Sequence, residues 1–282
     1  MENGADKLRI FSNLAFHGII IILSGLCTIP LFLIMYYIIK MGISSITIDF
    51  LINLPKPVGE LNGGVLNAIV GSFMVVIAAT LMAIPIGITS GICLSEYKDS
   101  KLSYMGRLCT EILQGTPSIV IGIIAYTWIV KPTGQFSALS GSIALGIMML
   151  PLIIRTTEET LNLIPYDIKE ASLALGVPYY KTILKVVLPS ALSGLTTGVI
   201  LSIGRVIGET APLLFTAFGN PYLQFNMLKP VNTLPVLIFN YASSPYEDWH
   251  KQAWGASFVL LVWIVTINIF SKILAAKWKV RF

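Results

Sequence analysis

Six positions late in the chain, Gly194, Gly198, Ser202, Arg205, Glu209 and Pro212, recur at intervals of 4, 4, 3, 4 and 3. Residues at these offsets share one face of a helix. The face begins small and ends charged, while Leu195, Val199, Ile203 and Val206 decorate the other sides. If the surrounding apolar run crosses a bilayer from Pro189, Arg205 lies about 24 Å along it, at about 1.5 Å per residue. That depth is inside, or in the outer half of, a hydrocarbon core about 30 Å thick. A lone Arg at a span's centre costs roughly 2.5–3.5 kcal/mol on insertion scales, and Glu209, one turn on, can pair with it. Arg before Glu is the weaker order for an exposed helix, which makes helix stabilisation alone a poor reason for the pair. Two uses stay open: an ion pair that fixes helix register, or a gate in which Arg205 attracts a tetrahedral anion and Glu209 competes for the Arg to aid release. The hydroxyls of Ser202 and Thr210 join this candidate path. Gly194, Gly198, Gly204 and Gly208 are candidate close-packing positions.

A second polar patch, Gln114-Gly115-Thr116-Pro117-Ser118, interrupts an apolar run from Leu108 to Val130. Pro117 removes one backbone hydrogen bond, which nearby hydroxyls can re-satisfy. The patch is either a structural kink or a polar lining supplied by Thr116 and Ser118. A third feature is charged. Residues 165–178 read as a short helix in which Asp167 caps the N-terminus and Glu170 reaches back to it. Gly176 supplies the left-handed position that ends the helix, and Pro178 prevents its continuation. Ile168, Ala171 or Ser172, and Leu175 fall on one face. Such a helix between two spans is either an ordinary loop or a rigid lever moved by a soluble partner. Small residues (Ala171, Ala174, Gly176) would let a partner's cleft close around it.

The elements that must carry these groups follow from composition. Of 282 residues, 55% are hydrophobic and 12% charged, about half the charge of a soluble domain. With a mean hydropathy of +0.80, the chain reads as an integral membrane protein. Apolar runs predict six transmembrane helices: Leu14–Ile39 (with Pro30 as a kink), 67–94, Leu108–Val130, Ala138–Ile154, Pro189–Phe218 and Ala253–Ile273. Gly87 and Gly91, four apart, favour close packing in the second. Thirteen Lys and Arg fall on the side of the termini and five on the other, which predicts both termini in the cytoplasm. Residues 1–13 are then a cytoplasmic N-terminal segment, and residues 14–282 form one membrane domain with a core at about 65–275.

The net charge of +5 is therefore a topology signal and not evidence for nucleic acid. Cys27, Cys93 and Cys109 form no CxxC or Cys/His cluster, and His17 and His250 stand apart, so neither a metal site nor a cofactor is expected. No GxxxxGK[ST] occurs, so any ATP must be hydrolysed by another chain. A nucleophile/base constellation is likewise missing, which removes the motive for a membrane-embedded enzyme.

Glu170-Ala171-Ser172, then Gly176, Ile183 and Leu188-Pro189 resemble the EAA motif of bacterial ABC-importer permeases. That pattern runs E-A-A, three residues, Gly, nine residues, I-x-L-P. Ser172 stands for the second Ala, and Ile183 precedes Leu188 by five residues where the pattern has two. In that family this helix couples to the ATPase, which implies a coupling role for Asp167, Glu170, Ala171, Ser172 and Gly176. Gly204-Arg-Val-Ile-Gly-Glu-Thr-Ala-Pro-Leu213 closely resembles the signature of PstA-type phosphate permeases within the family, supported by Pro117-Ser-Ile-Val120 with Gly122 and by Arg155-Thr-Thr-Glu-Glu-Thr160. The resemblance implies an all-α permease subunit of a phosphate importer working by alternating access. It also implies four partners besides membrane lipid: a homologous PstC-type permease, a cytoplasmic PstB-type ATPase dimer, an extracytoplasmic PstS-type binding protein, and phosphate. A permease for sulfate or molybdate is the nearest alternative. A secondary transporter or channel would explain Arg205 and Glu209 but not the coupling helix.

Overall fold

The computed structural model describes residues 4–60 and 63–277. The extreme N-terminal residues 1–3 and the terminal basic residues Lys279 and Arg281 lie outside the described residues. The described chain is built of helices, with one isolated bridge between Phe218 and Val231. Among the described residues, five helices are long and apolar enough to cross a membrane. Their ranges are Arg9–Ser45, Leu66–Glu96, Ala138–Asn162, Tyr179–Val206 and Glu247–Phe270.

The expected third span is different. It is two helices, Lys101–Gly115 and Ser118–Thr133, that meet at 104°. The cause is local. Pro117 has no N–H to continue the ladder and its ring drives the preceding residue out of the helical region. Thr116 accordingly sits at φ −73°, ψ 130° and Pro117 at φ −57°, ψ 138°. The polar patch at 114–118 is thus a corner and not a kink within a continuous helix.

The centre of the molecule is Ala138–Asn162, whose apolar window is 61% buried against 33% or less for every other span. It runs seven residues past Arg155, where the sequence placed its end, because Thr156 to Leu161 continue its packing stripe. Small residues on both flanking helices let their backbones close on it. A Cβ on Gly87 or Gly91 would meet Ile153 or Thr157 side-chain atoms at 2.6 and 2.5 Å. On the other flank, a Cβ on Gly198 or Gly194 would meet Thr156 or Thr160 hydroxyl and methyl atoms at 2.1–2.5 Å. Ile153 and Thr157 therefore face one neighbour, and Thr156 and Thr160, on the adjoining helical face, the other.

The expected fifth span ends early. Its helix stops at Val206, and a turn at Ile207–Gly208 precedes the short helix Ala211–Leu214. Pro212 is compatible with that restart because a proline in the first helical turn forfeits no intrahelical bond. The same span begins early, at Tyr179, and carries one wide π-helical turn over Ile183–Val187 in which the Leu188 N–H donates to the Ile183 carbonyl five residues back. Pro189, the second residue after this turn, has no N–H with which to continue the ladder.

A second buried cluster joins the opposite end of the bundle. Within residues 219–252, between the expected fifth and sixth spans, the helix Leu234–Ala242 packs Leu234, Leu237 and Tyr241 against Phe50, Val65, Ala68 and Ala256. Ser72 Oγ accepts from the Leu234 N–H at 2.8 Å, and Asn67 donates to the Asn220 carbonyl at 2.6 Å. Burial pushes the Tyr241 hydroxyl pKa above the usual tyrosine value. The first helix, Gly4–Gly42, has almost every described side chain exposed and touches the bundle chiefly where Gly42 meets Trp254 and Phe258.

Candidate translocation site and coupling surface

Arg205 occupies the last turn of the helix Leu188–Val206, on the face shared by Gly194 and Gly198, and is exposed. A cation there is favoured by the helix C-terminus, whose free carbonyls carry partial negative charge. The expected Arg205–Glu209 pair is absent: among the described residues neither side chain makes an ion pair. The i,i+4 relation requires continuous helix, and the helix has ended before Glu209. Glu209 is instead half-buried in the following turn, where its N–H donates to the Val206 carbonyl at 3.2 Å.

The other candidate path residues divide. Thr210 opens the short helix, its carbonyl accepting from Leu213 and Leu214 at 3.1 Å. Ser118 opens the helix Ser118–Ala125, which packs on that same short helix: a Cβ on Gly122 would lie 2.7 Å from Pro212 Cα. The corner at Thr116–Ser118 and the segment Glu209–Thr210 thus belong to adjoining elements. Thr116 is half-buried and donates its hydroxyl to the Ile112 carbonyl at 2.7 Å. Ser202 does not line the open face. It is 1% exposed, and its hydroxyl donates to the Val199 carbonyl at 2.6 Å. It belongs to the side buried against neighbouring helices, so the small-to-charged stripe is not one continuous lining. Among the expected packing glycines, Gly194 and Gly198 lie in tight contacts, a Cβ on Gly204 would lie 3.7 Å from the Asn268 side chain, and Gly208 has open space around it because the helix has ended.

The charged unit folds with one correction. The helix runs Tyr166–Ala174, and Pro165, at φ −56° and ψ 136°, takes the cap position. Asp167 therefore falls in the first turn, where it complements the helix dipole but makes no cap, and no capping box with Glu170 forms. Gly176 adopts φ +76° with nothing within 4 Å of a would-be Cβ, as the helix-ending position requires. Ser172 is buried and hydrogen-bonded to Thr182 at 2.9 Å. Leu175, read onto one face with Ile168, is 84% exposed, whereas Ser172 is buried and Ile168 and Lys169 are half-buried. Asp167, Glu170, Ala171 and Gly176 all lie on the exposed side.

Several polar ties escaped the sequence. Glu96 accepts from Lys169 Nζ at 2.5 Å and from the Tyr179 hydroxyl. Arg107 pairs with Glu158 at 2.7 Å and donates to the Leu94 and Lys98 carbonyls, satisfying the end of the Leu66–Glu96 helix. Arg155 and Glu159 form an exposed pair at 2.9 Å on the central helix. One signal for Glu96 was present: an acid in the last turn of a helix is disfavoured by the dipole and so points to a partner.

Among the described residues, five apolar helices long enough to cross a membrane, with a glycine-terminated helix between two of them, give the architecture of a multi-span membrane protein. Residues 83–279 match the family described as binding-protein-dependent transport system inner membrane component, and the chain belongs to that family. It is a multi-pass membrane protein. Among curated relatives, the phosphate transport system permease protein PstA of Haemophilus influenzae is 38% identical over 266 residues, covering 94% of this chain and 92% of that protein. PstA of Xylella fastidiosa strain 9a5c is 40% identical over 245 residues, covering 86% and 85%. In fold, an inward-facing MetNI methionine ABC transporter chain superposes with a TM-score of 0.65 at 16% identity, over 77% of this chain and 96% of that one.

Proposed function

We propose that the chain is a permease subunit of an ATP-driven importer that carries inorganic phosphate across the cytoplasmic membrane by alternating access. The observation that carries this reading is the 37–40% identity to PstA permeases of several bacteria over most of both chains. It makes and breaks no covalent bond; ATP is hydrolysed by a separate ATPase dimer docked on the exposed residues Asp167, Glu170, Ala171 and Gly176. A homologous PstC-type permease covers the open face, and a PstS-type binding protein delivers phosphate on the opposite side. The bias of Lys and Arg toward the side of the termini supports both termini lying in the cytoplasm.

In the path, Arg205 supplies the fixed cation for a tetrahedral anion, and the hydroxyls of Thr116, Ser118 and Thr210 supply neutral contacts. Glu209, set in a turn next to Gly208, approaches Arg205 only when that turn rearranges, and this competition releases the anion. Reconstitution of the chain with its three protein partners in vesicles tests the reading. ATP-dependent uptake of labelled phosphate, undiminished by excess sulfate, is expected. Uptake of sulfate in place of phosphate would overturn the substrate; uptake without ATP or the ATPase would overturn the class.

A further inference from the structure

The Leu66–Glu96 helix ends in a carboxylate that is nearly buried: the Glu96 side chain is 7% exposed and its partner Lys169 12%. Both oxygens are used. Oε1 accepts from Lys169 Nζ at 2.5 Å, and Oε2 accepts from the Tyr179 hydroxyl. These donors come from opposite arms of the coupling unit, Lys169 from the helix before Gly176 and Tyr179 from the helix after it. One carboxylate thus staples both arms to a membrane-crossing helix that is distant in sequence. The arms are also tied to each other by the buried Ser172–Thr182 hydrogen bond. The neighbouring Ser95 is tied to Asn162, at the end of the central helix, at 2.9 Å.

Buried ion pairs are poor devices for stability, since desolvation offsets much of the attraction; what they do well is fix one relative placement of the parts they join. The coupling unit is covalently continuous with the central helix and with Tyr179–Val206, so motion reaches those two directly. It has no such link to Leu66–Glu96. We infer that Glu96, held by Lys169 and Tyr179, is a positioning residue that carries displacement of the coupling helix into the Leu66–Glu96 span, so that ATP hydrolysis and opening of the path stay in step. This rests on the ATP-driven reading above.

The experiment uses the complete complex in vesicles and measures anion imported per ATP hydrolysed for Glu96→Gln, Lys169→Met, Lys169→Arg and Tyr179→Phe. Tyr179→Phe removes a single hydroxyl and keeps the ring, so it tests the tie in a chain that still folds. Expected are normal co-purification of the ATPase, continued ATP hydrolysis, and an import ratio lowered roughly fivefold or more in Glu96→Gln and Lys169→Met. A smaller fall is expected in Tyr179→Phe, with Lys169→Arg close to wild type. A wild-type ratio in Glu96→Gln and Tyr179→Phe would overturn the inference. So would ATP hydrolysis that falls in proportion to import, the sign of a merely structural defect, or Lys169→Arg as impaired as Lys169→Met. If the wild-type complex imports another anion, the substrate reading fails while the ratio for that anion still tests the staple.

Discussion

Arg205 and Glu209 show how a helix end changes what two residues can do. With continuous helix they would be i,i+4 neighbours able to pair, and if that pair were buried, removing one partner would cost about 3–5 kcal/mol. With the helix ending at Val206, Arg205 is exposed and Glu209 sits in a separate turn. Glu209→Gln is therefore expected to change stability by no more than about 0.5 kcal/mol, as a substitution away from any such pair does. Thermal unfolding of the detergent-solubilised complex measures this, and a loss of several kcal/mol would show that the pair forms in the assembled transporter. Arg205→Gln is expected to assemble normally and to import phosphate at least about tenfold more slowly, since hydrogen bonds to charged groups contribute about 1.5–3 kcal/mol. Uptake at the wild-type rate would remove Arg205 from the path. At this scale the sequence was informative where one residue's own backbone decides, as at Gly176, whose φ is +76°. It was silent where partners are distant in the chain: Glu96 and Lys169 are 73 residues apart, and no local periodicity links them.

Elements were legible where apolar runs are long and uninterrupted, and misread where a proline or a cap decides. Pro117 turned one expected span into two helices at 104°, and Pro165 displaced Asp167 from the cap. Small-residue spacing was the better guide, because Gly194 and Gly198 could serve only where another helix comes close. Their contacts with Thr160 and Thr156 give a direct contrast with Gly208, which has open space around it. Gly198→Ala is expected to destabilise the protein by about 1–3 kcal/mol through overpacking against Thr156. Gly208→Ala, lacking both a neighbour and a positive φ, is expected to stay within about 0.5 kcal/mol. Equal melting temperatures for the two variants would show that the helices separate readily. On the coupling helix, Gly176→Asp puts a side chain where φ is +76° but space is open, a strain of about 1–2 kcal/mol that leaves the fold intact. Its expected effect is loss of the ATPase on co-purification or loss of coupled uptake; retention of both would remove the exposed end of this helix from the docking surface.

On the whole molecule, two kinds of exposed surface need different cover. The first helix is exposed along an apolar length of mean hydropathy 2.5, which lipid covers without cost. The face that carries Arg205, which lies about 24 Å along its span from Pro189, cannot be left to lipid, since a charge at mid-bilayer costs roughly 2.5–3.5 kcal/mol. On the proposed reading a second permease encloses water against this face and satisfies Arg205, and the distinction is open to chemical labelling. In a background with Cys27, Cys93 and Cys109 replaced, Arg205→Cys and Ile21→Cys place thiols at exposed sites on the two surfaces. A membrane-impermeant, charged thiol reagent reacts with the thiolate, which forms in water and not in hydrocarbon. The assembled transporter is expected to label at Arg205→Cys and to remain unlabelled at Ile21→Cys. Ser202→Cys, buried at 1% exposure, should resist as well, because the structure turns that position away from the open face. Reactivity at position 21 equal to that at 205 would mean that the first helix also faces water. Protection of position 205 in every transport state would place it under a protein contact, leaving its charge a role in assembly in place of one in the path.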